Sequence, residues 1–592
     1  MTTKRRGAAF LAVIAAGALT LSACGGDSEE PESDSTEDAG AEDTGSASGT
    51  ITVASDAEFT SYNGNSVTGN GTWNTRVLNG VMTGFWDYAP EGGSVPTEEF
   101  GTYELTSEDP LTVQYTFAED AVWSDGEPID CDDFLLEWAA NSGYYEHPTE
   151  TTEDGSPAQL FASPSSTGLN LTQKPSCEAG AKEVELVYDE PFADWPVAMS
   201  GGTSTLPAHV AADQAGLSSE ELIAAIANDD IDTLLPVAEF WSTGWDMNPG
   251  DLLDPALIPA SGPYVIDSWD AGQSITLKAN ENWWGEPPAT DTIVVRFMAQ
   301  DQQVQALANG EVDVISPQAS VDLANSLEAL GDQVEVINGD NLTWEHFDFN
   351  VNPGTVFESA ELREAFAKCL PRQQIVDNLI KPVNPEAVVM DLRELFPFDP
   401  DYETVREAAI GDTYAEPDIA GATDLIEQSG VETPVDVRIL RSDPNPRRAD
   451  QVALAKASCD EAGFNIVDTP TQDLGAGIVD TGSYDIAMFG WAGSGLLTSG
   501  ASLYKTNEGQ NQYGYSNSDV DAAWDKLVVE LDEAAQVELL TEIETNLWDD
   551  LFSIPVFAHP GITAHSPRVE GVMHNSAQTQ VSFNMEEWAL TE

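Results

Sequence analysis

The sequence predicts an α/β protein with mixed sheets flanked by helices, and three observations in one stretch predict it. Apolar residues alternate at Tyr264 and Ile266, and again at Ile275, Leu277 and Ala279, with Asp270-Ala271-Gly272 between them. Period two is the period of a strand, and the break marks a hairpin. A β-branched run, Thr292-Ile293-Val294-Val295, then precedes a helical pattern over 301–309, with Val304, Leu307 and Ala308 on one face and Gly310 placed to close it. Val312, Val314 and Ile315 return as a strand. A strand–helix–strand crossover predicts parallel neighbours.

The remaining elements follow in order. Lys4, Arg5 and Arg6 form a basic start, and the apolar stretch from Ala8 to Leu21 is short for a bilayer span. Leu21-Ser22-Ala23-Cys24 resembles the bacterial lipobox, which implies a signal segment over 1–23, cleavage before Cys24 and acylation of its thiol. Such a chain is anchored on the extracytoplasmic face of a cell membrane without a spanning helix. Residues 24–49 hold Asp, Glu, Ser, Thr, Gly, Ala and Pro with no large apolar residue, the composition of a disordered acidic tether. Order is expected from Thr50, with Ile51 and Val53 opening a strand. Asp130 starts a helix whose first turn carries Asp132 and Asp133 against the helix dipole. Asp125 beside Gly126 reads as a turn residue. Trp344 to Asn350 and Tyr484 to Trp491 read as strands, Ala449 to Gly463 as a helix, and Leu527 to Leu547 as one long amphipathic helix.

Several ordered blocks carry a resemblance. They are Gly262-Pro263-Tyr264, Gly272 to Leu277, Asn280 to Gly285 and Ala306 to Ile315, together with Trp123-Ser124-Asp125-Gly126-Glu127-Pro128-Ile129 and Asp133-Phe134. They resemble the family 5 extracellular solute-binding proteins, the oligopeptide- and dipeptide-type binding lipoproteins of ABC importers. The likeness extends, with gaps, from Thr50 to Trp588. It implies a periplasmic-binding-protein-like type II fold, bilobal with an extra third subdomain. Lobe I would be discontinuous over 50–85, 201–318 and 569–592, lobe II an insertion over 86–200, and lobe III the second binding lobe over 319–568. It also implies hinge closure on an extended solute, delivery to permease subunits, a monomer, and no cofactor.

Composition agrees with such a role and excludes others. There are 22 basic and 103 acidic residues in 592, a net charge of −81. Nucleic acid would be repelled. After Cys24, four cysteines remain, which allow three pairings in an oxidising compartment. Cys131 with Cys177 and Cys369 with Cys459 each fall inside one expected lobe, and these pairings are expected. The six histidines, His147, His209, His346, His559, His565 and His574, contain no i, i+4 pair for zinc. Gly493-Ser494-Gly495 lacks the first glycine of a nucleophile elbow, since Ala492 stands there. No catalytic constellation emerges, although carboxylate spacing alone does not remove a surface hydrolase.

The resemblance points to a ligand motif of the form G-W-x-x-D, matched by Gly490-Trp491-Ala492-Gly493-Ser494 with Ser in place of the Asp that holds a peptide amino group. A serine hydroxyl supplies no counter-charge for a buried ammonium. Glu58, at the expected cleft entrance, is the candidate for a substitute acid, the alternative being a solvated acid at a strand end. Phe59, Tyr62, Trp344, Phe489, Trp491 and Tyr504 complete the expected ligand-binding set. A peptide is the expected solute, with an oligosaccharide or another non-peptide as the alternative within the same fold.

Overall fold

The computed structural model describes residues 47–592 except 91, 152–156, 167, 473, 480, 494, 507–509, 512, 578–579 and 592. The expected signal segment, Cys24, nearly all of the tether, and Ser494 lie outside the described residues.

The strands follow in chain order. β1 (Ala47–Ser55) is followed by a small hairpin of β2 (Trp86–Tyr88) and β3 (Ser94–Pro96). β4 (Gly101–Glu108) and β5 (Leu111–Phe117) pair antiparallel. β6 (Glu146–Thr151) and β7 (Pro157–Gln159) make a second short hairpin, and β8 (Glu183–Val187) adds to β5. Next come β9 (Tyr264–Asp270), β10 (Ser274–Ala279), β11 (Thr290–Phe297) and β12 (Val314–Ile315). Then come β13 (Glu335–Phe349), β14 (Val435–Ser442), β15 (Phe464–Thr471), β16 (Ile486–Ala492) and β17 (Ser553–His565), and last a short antiparallel pair, β18 (Val569–Glu570) and β19 (Ala589–Leu590). One ten-stranded mixed sheet has the order β15-β14-β16-β13-β17-β12-β1-β11-β10-β9.

The expected hairpin and crossover are both present. β9 and β10 are antiparallel, and Gly272 in their turn has φ 66°, which glycine adopts without a Cβ clash. The helix Gln300–Ala308 joins β11 to β12, and both lie parallel to β1, which sits between them. The crossover therefore skips one strand position, and the skipped position is filled by β1, the first described strand of the chain. The helix Cys131–Asn141 starts where the acidic run predicted, with a reciprocal capping box between Asp130 and Asp133. One expectation is corrected. The single helix over 527–547 is two helices, Ser518–Leu527 and Glu533–Asp550, because Asp532 caps the second through the backbone N–H of Ala535 and Val528-Val529 favours helix weakly.

Apolar burial divides along the sheet. One core draws on Ile51 through Val314 and is completed by Val569, Val572, Val581, Met585 and Trp588. Within it Leu277 and Ile293 are fully buried, each contributing roughly 2 kcal/mol. Two further cores draw on Phe347 through Phe557. The sheet passes from one region to the other through β12, β17 and β13. β17 pairs with β12 at Ala564 and His565, and with β13 along 335–348 with a register shift between Asp340 and Trp344. All thirteen residues of β17 are buried.

The expected disulfides, Cys131–Cys177 and Cys369–Cys459, are both formed, with sequence separations of 46 and 90. Breaking either by a double Cys→Ser substitution is expected to cost roughly 2–5 kcal/mol, more for the wider loop. Denaturant titration of the two variants against the oxidised parent, with the reduced parent as control, measures both.

Candidate functional site

Strand register assembles the centre of the candidate site. In the antiparallel β13–β16 ladder, Trp344 lies opposite Trp491, Glu345 opposite Gly490 and His346 opposite Phe489. Alternation then collects Trp344, His346, Phe489 and Trp491 on one face. The His346 ring lies 4.4 Å from those of Trp344 and Phe489, and stacks on Trp491 at 6.1 Å and 8°. Phe489 and Trp491 meet edge to face at 4.9 Å. His346 Nδ1 lies 2.8 Å from Asp348 Oδ1, which fixes the ring plane. β16 has β13 along its whole length, but β14 pairs with it only at Ile486 and Ala487. From Met488 to Ala492 its second edge carries no strand among the described residues, and Trp491 and Ala492 there are half-buried and exposed.

The opposite face is charged and sealed. Glu345, fully buried, accepts from Arg448 Nε at 2.7 Å, Gln451 Nε2 at 3.1 Å and His559 Nε2 at 2.8 Å, with Arg447 3.7 Å away. Burial pushes the Glu345 carboxyl up, but the His559 hydrogen bond and the charges of Arg448 and Arg447 outweigh it and hold it well below the usual carboxylate range. Burial, then the Arg447 charge, lowers His559 to about 4, so it is neutral at pH 7 and donates. A Cβ at Gly490 would stand 3.2 Å from the His559 ring, so a larger residue here would need that ring to give by a few tenths of an ångström.

A seam lies above this centre, where residues of the 86–200 segment meet residues of 319–568. Asp194 Oδ1 accepts from the Leu497 backbone N–H at 3.0 Å, and Oδ2 accepts from Thr498 N at 3.0 Å and Thr498 Oγ1 at 2.6 Å. The Ala193 N–H donates to the Val528 carbonyl at 2.8 Å. A cavity of about 240 Å³ opens beside these contacts, walled by Trp86, Tyr88, Asp194, Val197, Leu497 and Gln536 among others. A small apolar cluster of Leu342, Trp344, Met390, Phe396, Ala558 and Ala577 abuts Tyr88 and Trp491.

The expected residues thus fall into two groups. Trp344, Phe489, Gly490 and Trp491 come together at β13 and β16. Glu58, Phe59 and Tyr62 lie elsewhere, against β9. The Glu58 carboxylate accepts from Trp269 Nε1 at 3.0 Å and Gly272 N at 2.7 Å, which ties the β9–β10 turn. Phe59 is buried edge-on to Trp269, and buried Tyr62 donates its hydroxyl to the Pro259 carbonyl. Both aromatics belong to the first core here rather than to an exposed wall. Tyr504 is buried against Phe552, and burial followed by the charge of Glu394 raises its hydroxyl well above the usual value. Asp194, Trp86, Tyr88 and the Glu345 cluster escaped the sequence reading. The aromatic doublet in Trp86-Asp87-Tyr88 was the one visible signal for the seam. Among the described residues there is no group of three metal-ligating side chains, and no helix is long and apolar enough to cross a membrane.

Comparison with known proteins gives this arrangement its context. Residues 100–514 match the family described as bacterial extracellular solute-binding proteins, family 5 Middle. The chain belongs to that family. It is 29% identical over 566 residues to an uncharacterized lipoprotein of Mycobacterium leprae, covering 92% of this chain and 94% of the relative. It is 24% identical over 516 residues to the oligopeptide-binding protein OppA of Mycobacterium tuberculosis, covering 84% and 78%. Among solved structures, a periplasmic EDTA-binding protein, EppA, superposes with a TM-score of 0.78 at 21% identity, over 93% of this chain and 98% of that one. The oligopeptide-binding protein AppA of Bacillus subtilis, in complex with a nonapeptide, superposes with a TM-score of 0.70 at 14% identity, over 92% and 99%. The fold is that of the family 5 binding proteins, and the expected fold class holds.

The charged face predicts a pH response. His559 is lowered in the fold from 6.5, so its contribution to stability is present above that value and is lost as pH falls toward about 4. The depressed Glu345 adds a loss at still lower pH. Buried carboxylates with raised values, such as Glu137 and Asp133 at about 7, act in the opposite direction over this range. The His559 part is therefore isolated as the stability difference between the native chain and His559→Gln in denaturant titration, which is expected to shift against the native chain from pH 6.5 to 4. Removing the acid instead, by Glu345→Gln, strands Arg448 and is expected to cost roughly 3–5 kcal/mol at neutral pH.

Proposed function

We propose that this chain is the membrane-anchored capture component of an ABC importer. It closes on a peptide between lobe I with its lobe II insertion and lobe III, over the limits given above, and passes it unchanged to permease subunits. The observation that carries the peptide reading is the edge of β16 from Met488 to Ala492, which pairs with no second strand among the described residues and becomes half-buried to exposed at Trp491 and Ala492, beside the Trp344–Phe489–Trp491 cluster. An extended peptide can add to such an edge through its main chain, with side chains resting on the aromatic surface. The β12–β17–β13 link supports a hinge, because it is the continuous passage between the regions that would close. Acylation at Cys24 and action as a monomer complete the reading, and the named lipoprotein relative is in keeping with the anchor.

A second reading keeps the fold and replaces the peptide by a small non-peptide solute. It is favoured by Ser494, which stands where the motif has an acid.

Mass spectrometry of the solute that co-purifies with the full chain separates the two. Thermal melting with pooled short peptides is expected to shift upward, and Trp491→Ala is expected to weaken peptide binding roughly tenfold or more. Melting that ignores every peptide pool, with a non-peptide recovered from the cleft, would replace the first reading by the second.

A further inference from the structure

We propose that the cavity at the seam is a recognition pocket for a cationic group of the solute, an ammonium or guanidinium on a short aliphatic arm, with Asp194 as its counter-charge. This deepens the binding reading and rests on it for the place of the pocket in the closed cleft.

The argument starts from an imbalance. Asp194 is 8% exposed, yet its three donors, Leu497 N, Thr498 N and Thr498 Oγ1, are all neutral. Among the described residues no Lys, Arg or His pairs with it, and burial outweighs the hydrogen bonds to push its carboxyl up. Glu345 is matched by Arg448 and Glu544 by Arg393, whereas buried Asp133 and Glu137 are, like Asp194, held by neutral donors, and it is the position of Asp194 on a cavity at the seam that sets it apart. A buried carboxylate without a counter-ion is unfavourable by several kcal/mol. Asp194 is left in that state at the wall of a cavity of about 240 Å³ rather than in sealed packing.

The cavity suits a cation in three further respects. Its carboxylate has about four lone-pair sites, of which three are used, so one on Oδ1 remains. Trp86 and Tyr88, 5.4 Å apart and nearly perpendicular, offer aromatic surface to a positive charge. No basic side chain is among the lining residues, whereas Ser94 and Gln536 add acceptors. The volume admits one arm of the length of a lysine side chain. The competing role for Asp194 is a purely structural clasp, holding the 497–498 backbone to the other side of the seam. Asp194→Asn removes the charge but sets an amide NH2 against either Leu497 N–H or the Thr498 donors, so it is read together with Val197→Lys, which leaves the clasp intact.

The experiment is titration calorimetry on the full chain with two matched pairs of probes. One pair is Ala-Ala-Lys-Ala-Ala and its norleucine analogue; the other is n-butylammonium and n-butanol. The native chain is expected to prefer each cation over its neutral partner by about tenfold or more, and Asp194→Asn to reduce that preference to about twofold or less. Thr498→Ala, which removes one neutral donor, is expected to keep the preference. Val197→Lys, which supplies a tethered ammonium inside the cavity, is expected to abolish it without altering Asp194, and so serves even if Asp194→Asn folds poorly. Equal binding of cation and neutral partner by the native chain in both pairs overturns the pocket, as does a preference that survives both Asp194→Asn and Val197→Lys. Binding of n-butylammonium over n-butanol, lost in the variants, with neither peptide bound, upholds the pocket and removes the peptide reading.

Discussion

The structure depends on the β13–β17 ladder. These two long strands, with β12, carry the described sheet from one region to the other, and the burial of β17 and of β13 from Trp344 to Phe349 leaves no water to satisfy a stray charge. Glu345 is tolerated at that position because Arg448, Gln451 and His559 supply its hydrogen bonds and Arg447 adds charge. A group so dependent on partners from other elements specifies one packing arrangement, since any slip of β13 against β17 would strand it. The same register places Trp344, His346, Phe489 and Trp491 on the other face. One constraint on strand pairing thus sets both the sealed charged side and the aromatic side.

Much of this was legible in the chain, and the division between what was and was not follows range. The β9–β10 hairpin, the helix 300–308, its glycine at 310 and the Asp130 cap are local, and local patterns expose them. The two disulfides joined neighbouring cysteines, so lobe-level reasoning found them. Trp491 and Phe489 were visible because one strand carries both in a short, motif-like run. The Asp194 contacts were not, because they join residues 303 and 304 apart and no pattern in either segment points to the other. Phe59 and Tyr62 illustrate the opposite difficulty. An aromatic beside a strand end reads equally as core or as cleft, and only the third dimension tells which side it faces. The break at 528–532 was masked by apolar spacing that continues in phase across two helices.

The charge of the chain bears on the seam as well. With 103 acidic residues against 22 basic ones, most cations are engaged in specific pairs, such as Arg393 with Glu544 and Arg568 with Asp313. Few remain to neutralise the clefts, so a positively charged solute meets an attractive field before it meets any contact. That field is long-ranged only at low ionic strength, and near-surface contributions are screened within about 10 Å at moderate salt.

The first core is completed by Val569 to Trp588, and Thr290 donates its hydroxyl to the Trp588 carbonyl. Synthesis and export deliver those residues hundreds of positions after Ile51. The surface around Ile51 that these residues cover therefore stays open until segment 569–588 has been made. Completion of this core is tied to that late segment, and the intermediate before it exposes apolar surface open to association.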